Sequence, residues 1–500
     1  MDLNTYLRLD ATDLAELVRK MEMKPEELIN LSRRRFTEVN PALNAVTHHR
    51  YEKAAHEAGS SRDGLLAGVP FLLKNISQSL KGEPITSGSF LLKQWKARQD
   101  SHFVSRLKSE GLIMCGHTNT PEFGLKNITE PRLYGAARNP ADLRYSPGGS
   151  SGGAAAAVAA GIVPAAGASD GGGSIRIPAS FTGLTGLKPT RGRTPVGPGI
   201  GRQWQGAAID FVLTRTVRDC ALFLDILETV QQDAAFQVPR YGGRYTDCVN
   251  EEKNGPLRIG FSVNSPVGTP VHPDAEAAVV RTARWLEQMG HQVEEAEPDI
   301  DGIELMKQYY LMNCGEMAAA VKSLGQLTGR NPGRNDMEME SWVLAKAGER
   351  VSAADYSLSL SAWDRAAADA AEFHSVYDMY LTPATASTAP GIGELTMEKK
   401  KQEALIDNVE SASFERQQEL IYEMFLPSLT YTPFTQLANL TGQPAISLPV
   451  SVNKSGLPLG IQLLAAKGRE DLLLKTAGLI EKSPLWKPAD PHAVNTEQSF

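Results

Sequence analysis

The sequence has 500 residues, of which 42% are hydrophobic and 22% charged, and its formal net charge is −7. This composition excludes a disordered, collagen-like or coiled-coil chain. The acidic balance argues against the clustered Lys and Arg of a nucleic-acid surface, so no nucleic-acid partner is expected. The 4 cysteines form no C-x-x-C pair, which excludes a disulfide scaffold and a zinc site, and no metal is predicted.

Two stretches bear on targeting and membranes. Residues 1 to 20 carry alternating charge and contain no apolar signal segment. The longest run of small apolar residues, 154 to 168, is interrupted by Gly161 and Pro164 and is too short to span a bilayer. We therefore expect a cytoplasmic protein without a membrane-spanning segment.

The first part of the chain alternates between helical and strand patterns. Apolar residues recur at three- and four-residue spacing from Thr12 to about Met23 and from Pro25 to about Val39, which predicts two helices. An apolar run at 64 to 75 predicts a buried strand that leads into a loop at Lys74. The next patterns predict a helix at 101 to 111 and a short strand at 112 to 121.

The same alternation continues towards the C-terminus. Strands are predicted at 257 to 263, 379 to 384, 445 to 450 and 459 to 466, and helices at 273 to 289 and 469 to 482. Such alternation favours an α/β fold with a largely parallel or mixed sheet. Residues 394 to 428 have a helical pattern with mixed charge, typical either of an insertion that shapes a pocket or of a plain surface helix pair.

Two glycine clusters, SPGGSSGG at 146 to 153 and DGGGS at 170 to 174, are the densest in the chain. The pattern G-x-S-x-G occurs three times, centred on Ser150, Ser151 and Ser169, but a Ser-His-Asp hydrolase also needs a suitable downstream histidine. Four histidines lie downstream, and none of them follows an apolar strand. They are His272, His291, His374 and His492. Phosphate-loop, dinucleotide, H-E-x-x-H and EF-hand patterns are missing, so no cofactor is predicted.

After these exclusions, the chemistry that the motifs still allow is a serine nucleophile whose base is not histidine. Burial of Lys74 at the end of FLL would lower its pKa towards a value suited to proton abstraction, although a lysine at a strand end can also simply extend to solvent. The backbone amides of Gly171, Gly172, Gly173 and Ser174 can point to one spot and hold an oxyanion. Sequence position alone does not bring these groups together.

Long segments of the chain resemble the amidase signature family of serine hydrolases. The segments that carry the resemblance are FLLKN, TNTPEFG, the tract from SPGGSSGG through DGGGSIRIPASFTGLTGLKPTRGR, TGQPAISLP and LPLGIQLLAAKGREDLLL. Matched position by position, the resemblance implies that Lys74 is the catalytic base, Ser150 a bridging serine and Ser174 the nucleophile. It also implies a cis peptide bond between Gly149 and Ser150.

The resemblance implies further features of fold and site. The fold is a single α/β domain over residues 1–500, with a mixed, mostly parallel sheet covered by helices and a catalytic core at about 64–210. The substrate is a small-molecule amide, opened through an acyl-enzyme without metal or organic cofactor. The oxyanion is held by the amides of residues 171 to 174, and supporting roles fall on Ser151, Ser169, Asp170 and Arg176.

The flanking segments NITEPRLYGAARNP, GIGEL and GREDLLL resemble bacterial members of the family that open a cyclic amide. That likeness implies a pocket position for Cys314, for which a buried apolar thiol is the alternative. A second hypothesis for the chain is an amidotransferase subunit that releases ammonia from glutamine for a tRNA-bound partner. A homodimer is expected because it is the commonest oligomer.

Overall fold

The computed structural model of the protein describes residues 1–59, 63–251 and 255–494. Within these residues the chain forms eleven strands that belong to one sheet. The strands are β1 (Val46–His49), β2 (Pro70–Lys74), β3 (Ile113–Thr118), β4 (Ala165–Asp170), β5 (Thr185–Lys188), β6 (Ile209–Thr214), β7 (Arg258–Phe261), β8 (Gln292–Glu295), β9 (Met379–Pro383), β10 (Ala445–Val452) and β11 (Pro458–Ala465).

Seventeen α-helices connect and cover these strands in the described part of the chain. They are α1 (Leu3–Arg8), α2 (Ala11–Arg19), α3 (Pro25–Leu43), α4 (Tyr51–Ala58), α5 (His102–Ser109), α6 (Gly152–Ala159), α7 (Arg176–Thr182), α8 (Val217–Leu227), α9 (Tyr245–Val249), α10 (Pro273–Gln288), α11 (Gly302–Thr328), α12 (Met339–Gly348), α13 (Ala353–Val376), α14 (Lys399–Ser411), α15 (Phe414–Tyr431), α16 (Gln436–Thr441) and α17 (Glu470–Glu481).

The sheet order is β1-β3-β2-β4-β6-β5-β10-β11-β9-β7-β8. The predicted α/β fold with a mixed sheet is confirmed. The parallel majority is not found, because six of the ten pairings between described strands are antiparallel. Parallel pairing is confined to β3-β2-β4 on one side and β9-β7-β8 on the other. Strands β4, β6, β5, β10 and β11 instead alternate in direction through the middle of the sheet.

Every residue of β2 and β11 is buried. Because successive side chains of a strand point to opposite faces, this burial means that both faces of the sheet are covered at these strands. The predicted strand at 64–75 is shorter in the structure and begins at Pro70, after Gly68 turns the chain with φ +81°. This placement leaves Lys74 as the last residue of β2, inside the protein.

Helix α6 is built only from glycine, alanine and valine, and all of its residues are buried. Its small side chains allow close packing on the neighbouring strand β4. Since SPGGSSGG leads directly into α6 and DGGGS directly follows β4, this packing brings the two glycine clusters to the same end of the sheet.

The helical pattern at 394–428 corresponds to α14 and α15. Both helices pack with α11 and α12 around a second apolar core, separate from the core that surrounds the sheet. Residues Phe425, Ser428 and Leu429 of α15 also line the cavity described below. The segment thus packs against the rest of the molecule along one side of that cavity.

Candidate active site

Lys74 is fully buried at the end of β2 and faces three oxygen atoms. Its Nζ lies 2.8 Å from Ser150 Oγ, 2.8 Å from Ser169 Oγ and 3.4 Å from the Ser169 carbonyl oxygen. None of these partners carries a charge. The lysine therefore sits among neutral oxygen atoms with no carboxylate in direct contact.

This environment changes the acidity of the Lys74 ammonium. Burial lowers the pKa of Lys74 to about 7, and the more distant carboxylates of Asp210 and Asp170 oppose the shift only in part. Near neutral pH a large fraction of Lys74 is consequently the uncharged amine, which can accept a proton.

Ser150 lies between Lys74 and the cavity. The cis peptide bond that the resemblance implies between Gly149 and Ser150 is present. A Cβ atom on Gly149 would lie 2.6 Å from the Ile128 carbonyl oxygen, so only glycine fits before this serine. Thr120 Oγ1 donates to the Ser150 carbonyl oxygen at 2.9 Å and fixes the backbone on the other side.

Ser174 lines the same cavity as Ser150. It stands in the turn between β4 and α7, directly after Gly173, whose φ is +124°. A Cβ on Gly173 would lie 2.2 Å from Thr435 Oγ1, so this position requires glycine both for its backbone angle and for space. The tight turn explains why three glycines precede this serine.

The glycine turn is held by its carbonyl groups. Tyr309 OH donates to the Gly171 carbonyl oxygen at 2.9 Å, and Thr435 Oγ1 donates to that of Gly172 at 2.7 Å. Within the described residues, no acceptor binds the N–H groups of Gly171, Gly172 and Ser174.

Four amides were predicted to hold the oxyanion, and that of Gly173 differs from the other three. Its N–H donates to Asp170 Oδ1 at 2.7 Å, because the Asp170 carboxylate caps the turn from inside the protein. This amide is therefore already engaged. The unengaged amides are those of the other three residues.

Asp170 and Arg176 form a fully buried ion pair behind the turn, 2.9 Å apart. Burial alone would raise the pKa of Asp170, but the Arg176 guanidinium holds it at about 2. The carboxylate also accepts from the N–H of Ile175, and Asn439 Nδ2 donates to it at 2.9 Å. The pair thus fixes the segment on both sides of Ser174.

Ser151 and Ser169 connect the two glycine clusters. Ser151 Oγ donates to the Ser169 carbonyl oxygen at 3.2 Å and accepts from its N–H at 3.3 Å. Ser169 in turn contacts Lys74 through its hydroxyl and its carbonyl group. The structure therefore brings all the predicted supporting residues next to the lysine or the turn.

Asp210 was missed by the sequence analysis. It lies on β6 opposite Ser169 of β4, is 2% exposed, and accepts hydrogen bonds from Ser77 Oγ at 2.6 Å and Gln203 Nε2 at 2.7 Å. Burial raises its pKa, whereas its hydrogen-bond donors and the positive charge of Lys74 lower it. The only signal in the sequence is one carboxylate in an otherwise apolar strand.

The cavity next to these residues has a volume of about 440 Å³. Its walls are mainly apolar and aromatic, with Phe123, Trp204, Tyr310, Met306 and Phe425 among the residues that form them. None of the four histidines considered for a Ser-His-Asp site, all of them within the described ranges, lines it. The cavity fits a medium-sized organic molecule with few polar groups.

Comparison with models of protein families assigns the chain to a family. A model described as Amidase matches residues 27–474. The chain belongs to the amidase signature family. As a member of this family, it is an amide hydrolase.

The amidase is similar over its length to characterised relatives. It is 36% identical over 499 residues to the 6-aminohexanoate-cyclic-dimer hydrolase of Paenarthrobacter ureafaciens, with 98% of each chain covered. A solved structure of 6-aminohexanoate cyclic dimer hydrolase with substrate superimposes with a TM-score of 0.88 and 35% identity, over 98% of this chain and 100% of that one. The resemblance to this kind of enzyme is confirmed.

Lipoamidase of Enterococcus faecalis is another relative, 39% identical over 483 residues and 96% of this chain. The amidase spans only 64% of the length of that protein. The names of these two relatives indicate different substrates.

Cys314 does not line the cavity of the amidase. It lies on α11, fully buried in the apolar core between α11, α12, α14 and α15. The residues of α11 that line the cavity are Met306, Tyr309, Tyr310, Asn313 and Glu316, whereas Cys314 packs in the apolar core. The structure thus places this thiol where the alternative of a buried apolar cysteine expected it.

The described ranges 1–59, 63–251 and 255–494 also bear on metal binding and on membranes. They contain no group of three or more His, Cys, Asp or Glu side chains arranged to hold a metal ion. No helix in these ranges has the length and apolar character needed to cross a bilayer.

The buried ion pair gives a stability prediction for this amidase. Asp170→Asn leaves the Arg176 guanidinium buried without its carboxylate, so we expect a loss of about 3–5 kcal/mol in the free energy of unfolding. The control Asp407→Asn removes a carboxylate that is 66% exposed and pairs with Arg334, and it should cost less than about 1 kcal/mol. Urea unfolding measures both. Equal losses in the two variants would contradict the role of the pair.

Proposed function

We propose that this amidase hydrolyses its substrates with Ser174 as nucleophile, Ser150 as proton bridge and Lys74 as general base, through an acyl-enzyme. The observation that carries the proposal is the 2.8 Å contact between Lys74 Nζ and Ser150 Oγ, together with the cavity that Ser150 and Ser174 both line. A buried lysine with a pKa of about 7 is suited to this task at neutral pH.

The contacts of Lys74 agree with a neutral base. An uncharged amine has two N–H groups and one lone pair. The two N–H groups can be donated to the hydroxyl and carbonyl oxygens of Ser169, which leaves the lone pair to accept the hydroxyl proton of Ser150. The oxygen of Ser150 can then accept the proton of Ser174.

In the first half of the reaction, Ser174 Oγ forms a bond to the amide carbonyl carbon while its proton passes to Ser150 and that of Ser150 passes to Lys74. The oxyanion accepts hydrogen bonds from the unengaged N–H groups of Gly171, Gly172 and Ser174. The Lys74 ammonium then returns a proton through Ser150 to the leaving nitrogen. The C–N bond breaks and the amine departs.

In the second half, water takes the place of the amine. The same relay removes a proton from water as its oxygen attacks the acyl carbon. The ester bond to Ser174 then breaks and the carboxylic acid is released. Every proton that Lys74 accepts is returned within each half, so the cycle needs no cofactor.

For the substrate, the proposal is an amide like the 6-aminohexanoate cyclic dimer, which the apolar cavity can surround. We test it with purified protein and a panel of this cyclic dimer, an aryl anilide, a short aliphatic amide and glutamine. Release of amine from one of the first three, with no second protein added, is the expected result. Hydrolysis of glutamine alone, and only with a second protein present, would support the amidotransferase hypothesis instead.

Three further expectations from the sequence remain predictions. They are the homodimer, the cytoplasmic location, and the organisation of residues 1–500 as one domain with its catalytic core at about 64–210 and a pocket-shaping insertion at 394–428. Light scattering on the purified protein would measure the oligomeric state.

A further inference from the structure

Glu316 is an acidic side chain in the wall of the cavity. It is half-buried on α11, and its Oε1 accepts hydrogen bonds from Gln205 Nε2 at 3.0 Å and from Tyr356 OH. Among the described residues, no Lys, Arg or His lies within ion-pair distance of it, and no donor binds its Oε2. The carboxylate is therefore held in place by one oxygen while the other is left unengaged.

The cavity contains one further charged side chain within the described ranges, that of Lys126. Its ammonium forms ion pairs with Glu338 at 3.4 Å and Glu340 at 2.8 Å. Lys126 thus has its own partners and does not neutralise Glu316. A half-buried carboxylate with one unengaged oxygen and no cation beside it can pair with a positively charged group of a bound ligand.

The position of Glu316 along α11 sets its distance from the reacting groups. Tyr309, which contacts the glycine turn through the Gly171 carbonyl oxygen, lies seven residues earlier on the same helix. Seven residues are two turns, so the two side chains share a face, and the rise along the axis is about 10 Å. Glu316 therefore lies two turns, about 10 Å, along α11 from the residue that contacts the glycine turn.

We propose that Glu316 binds a terminal ammonium group of the substrate. This inference rests on the proposed function and adds a second class to the cyclic amides proposed there: open-chain aliphatic amides with a primary amine about six bonds from the scissile carbonyl carbon. An extended chain covers about 1.2 Å per bond, so six bonds reach about 7 Å. A charge-assisted hydrogen bond of about 2.8 Å completes the span to the carboxylate.

Such an ammonium can belong to either half of the substrate. On the acyl side the substrate is a 6-aminohexanoyl amide. On the amine side it is an amide of 1,4-diaminobutane. The shared chemistry is the terminal ammonium, and two pairs of probes distinguish the sides.

The first pair is 6-aminohexanoyl p-nitroanilide and its uncharged counterpart heptanoyl p-nitroanilide. The second pair is N-acetyl-1,4-diaminobutane and N-pentylacetamide. In one of the pairs we expect kcat/KM to favour the charged probe by about tenfold or more, the size typical of a hydrogen bond to a charged group. Because Glu316 lies far from the reacting bond, the preference should appear mainly in KM.

Glu316→Gln keeps the shape of the side chain and an acceptor for Gln205 but removes the charge, so the preference should fall to less than about twofold. Glu304→Gln is the matched control, since it removes the same charge from an exposed position on the same helix. It should preserve the preference. Melting curves of both variants verify that they are folded.

Glu316→Lys provides a second variant with an opposite expectation. It should favour a probe that ends in a carboxylate, such as the mono-p-nitroanilide of adipic acid, over the 6-aminohexanoyl probe. Absence of a charge preference in both pairs for the unaltered enzyme, or an undiminished preference in Glu316→Gln, would overturn the inference. If the enzyme hydrolyses the cyclic dimer but none of these probes, the inference fails and the proposed function stands; if it hydrolyses neither, both fail.

Discussion

Replacing Ser174 with alanine is expected to abolish turnover while leaving the protein folded. In the proposed mechanism the substitution removes the oxygen that attacks the carbonyl carbon, and Ser150 lies outside the glycine turn whose unengaged amides hold the oxyanion. Loss of a nucleophile that acts as part of a relay lowers kcat by about 10⁴-fold to 10⁶-fold. Steady-state kinetics on the cyclic dimer, together with a melting curve of the variant, measure this effect.

Ser151→Ala is the matched control for the nucleophile. The Ser151 hydroxyl contacts only the backbone of Ser169, so its loss should lower kcat/KM by less than about tenfold. A Ser174→Ala variant that retained activity comparable to that of Ser151→Ala would show that the nucleophile lies elsewhere.

The second large effect concerns Lys74 and pH. Only the uncharged amine accepts a proton, so kcat/KM should rise with pH through about 7 and then level off. Below this pKa the active fraction falls about tenfold for each pH unit. Lys74→Ala should lower the plateau by about 10²-fold to 10⁴-fold and remove the rising limb.

Lys188 serves as the control for this profile. Burial lowers its pKa to about 7 as well, but its Nζ donates to the Pro189 carbonyl oxygen and the residue does not line the cavity. Lys188→Met should therefore keep the rising limb. If the rising limb of the pH profile persisted in Lys74→Ala and vanished in Lys188→Met, the titrating group would be Lys188, and our account would be contradicted.

Much of the local structure could be predicted from the residues alone. The apolar run before Lys74 became β2, and the amphipathic patterns near the N-terminus became α2 and α3. Periodicity predicts which residues of a strand are buried, but it left open whether Lys74 is buried or extends to solvent at the strand end. It carries no information on strand direction, and the antiparallel middle of the sheet was missed for that reason.

The site itself could be predicted only through the resemblance. Lys74 and Ser150 are 76 residues apart in the chain, and no spacing rule brings them within 2.8 Å of each other. Asp210 and Glu316 reach the site from β6 and α11, through packing that no local pattern encodes. Gly173 looked like its neighbours in sequence, and only the position of Asp170 shows that its amide is engaged.

The central claim is that Ser174 carries the acyl group, and acid-quenched mass spectrometry tests it most directly. The p-nitrophenyl ester of heptanoic acid should acylate the enzyme faster than water releases the acyl group, so the adduct accumulates. Our account predicts a heptanoyl adduct on the peptide that contains Ser174, and none in Ser174→Ala. An adduct on a different residue, or one that persists in Ser174→Ala, would contradict it.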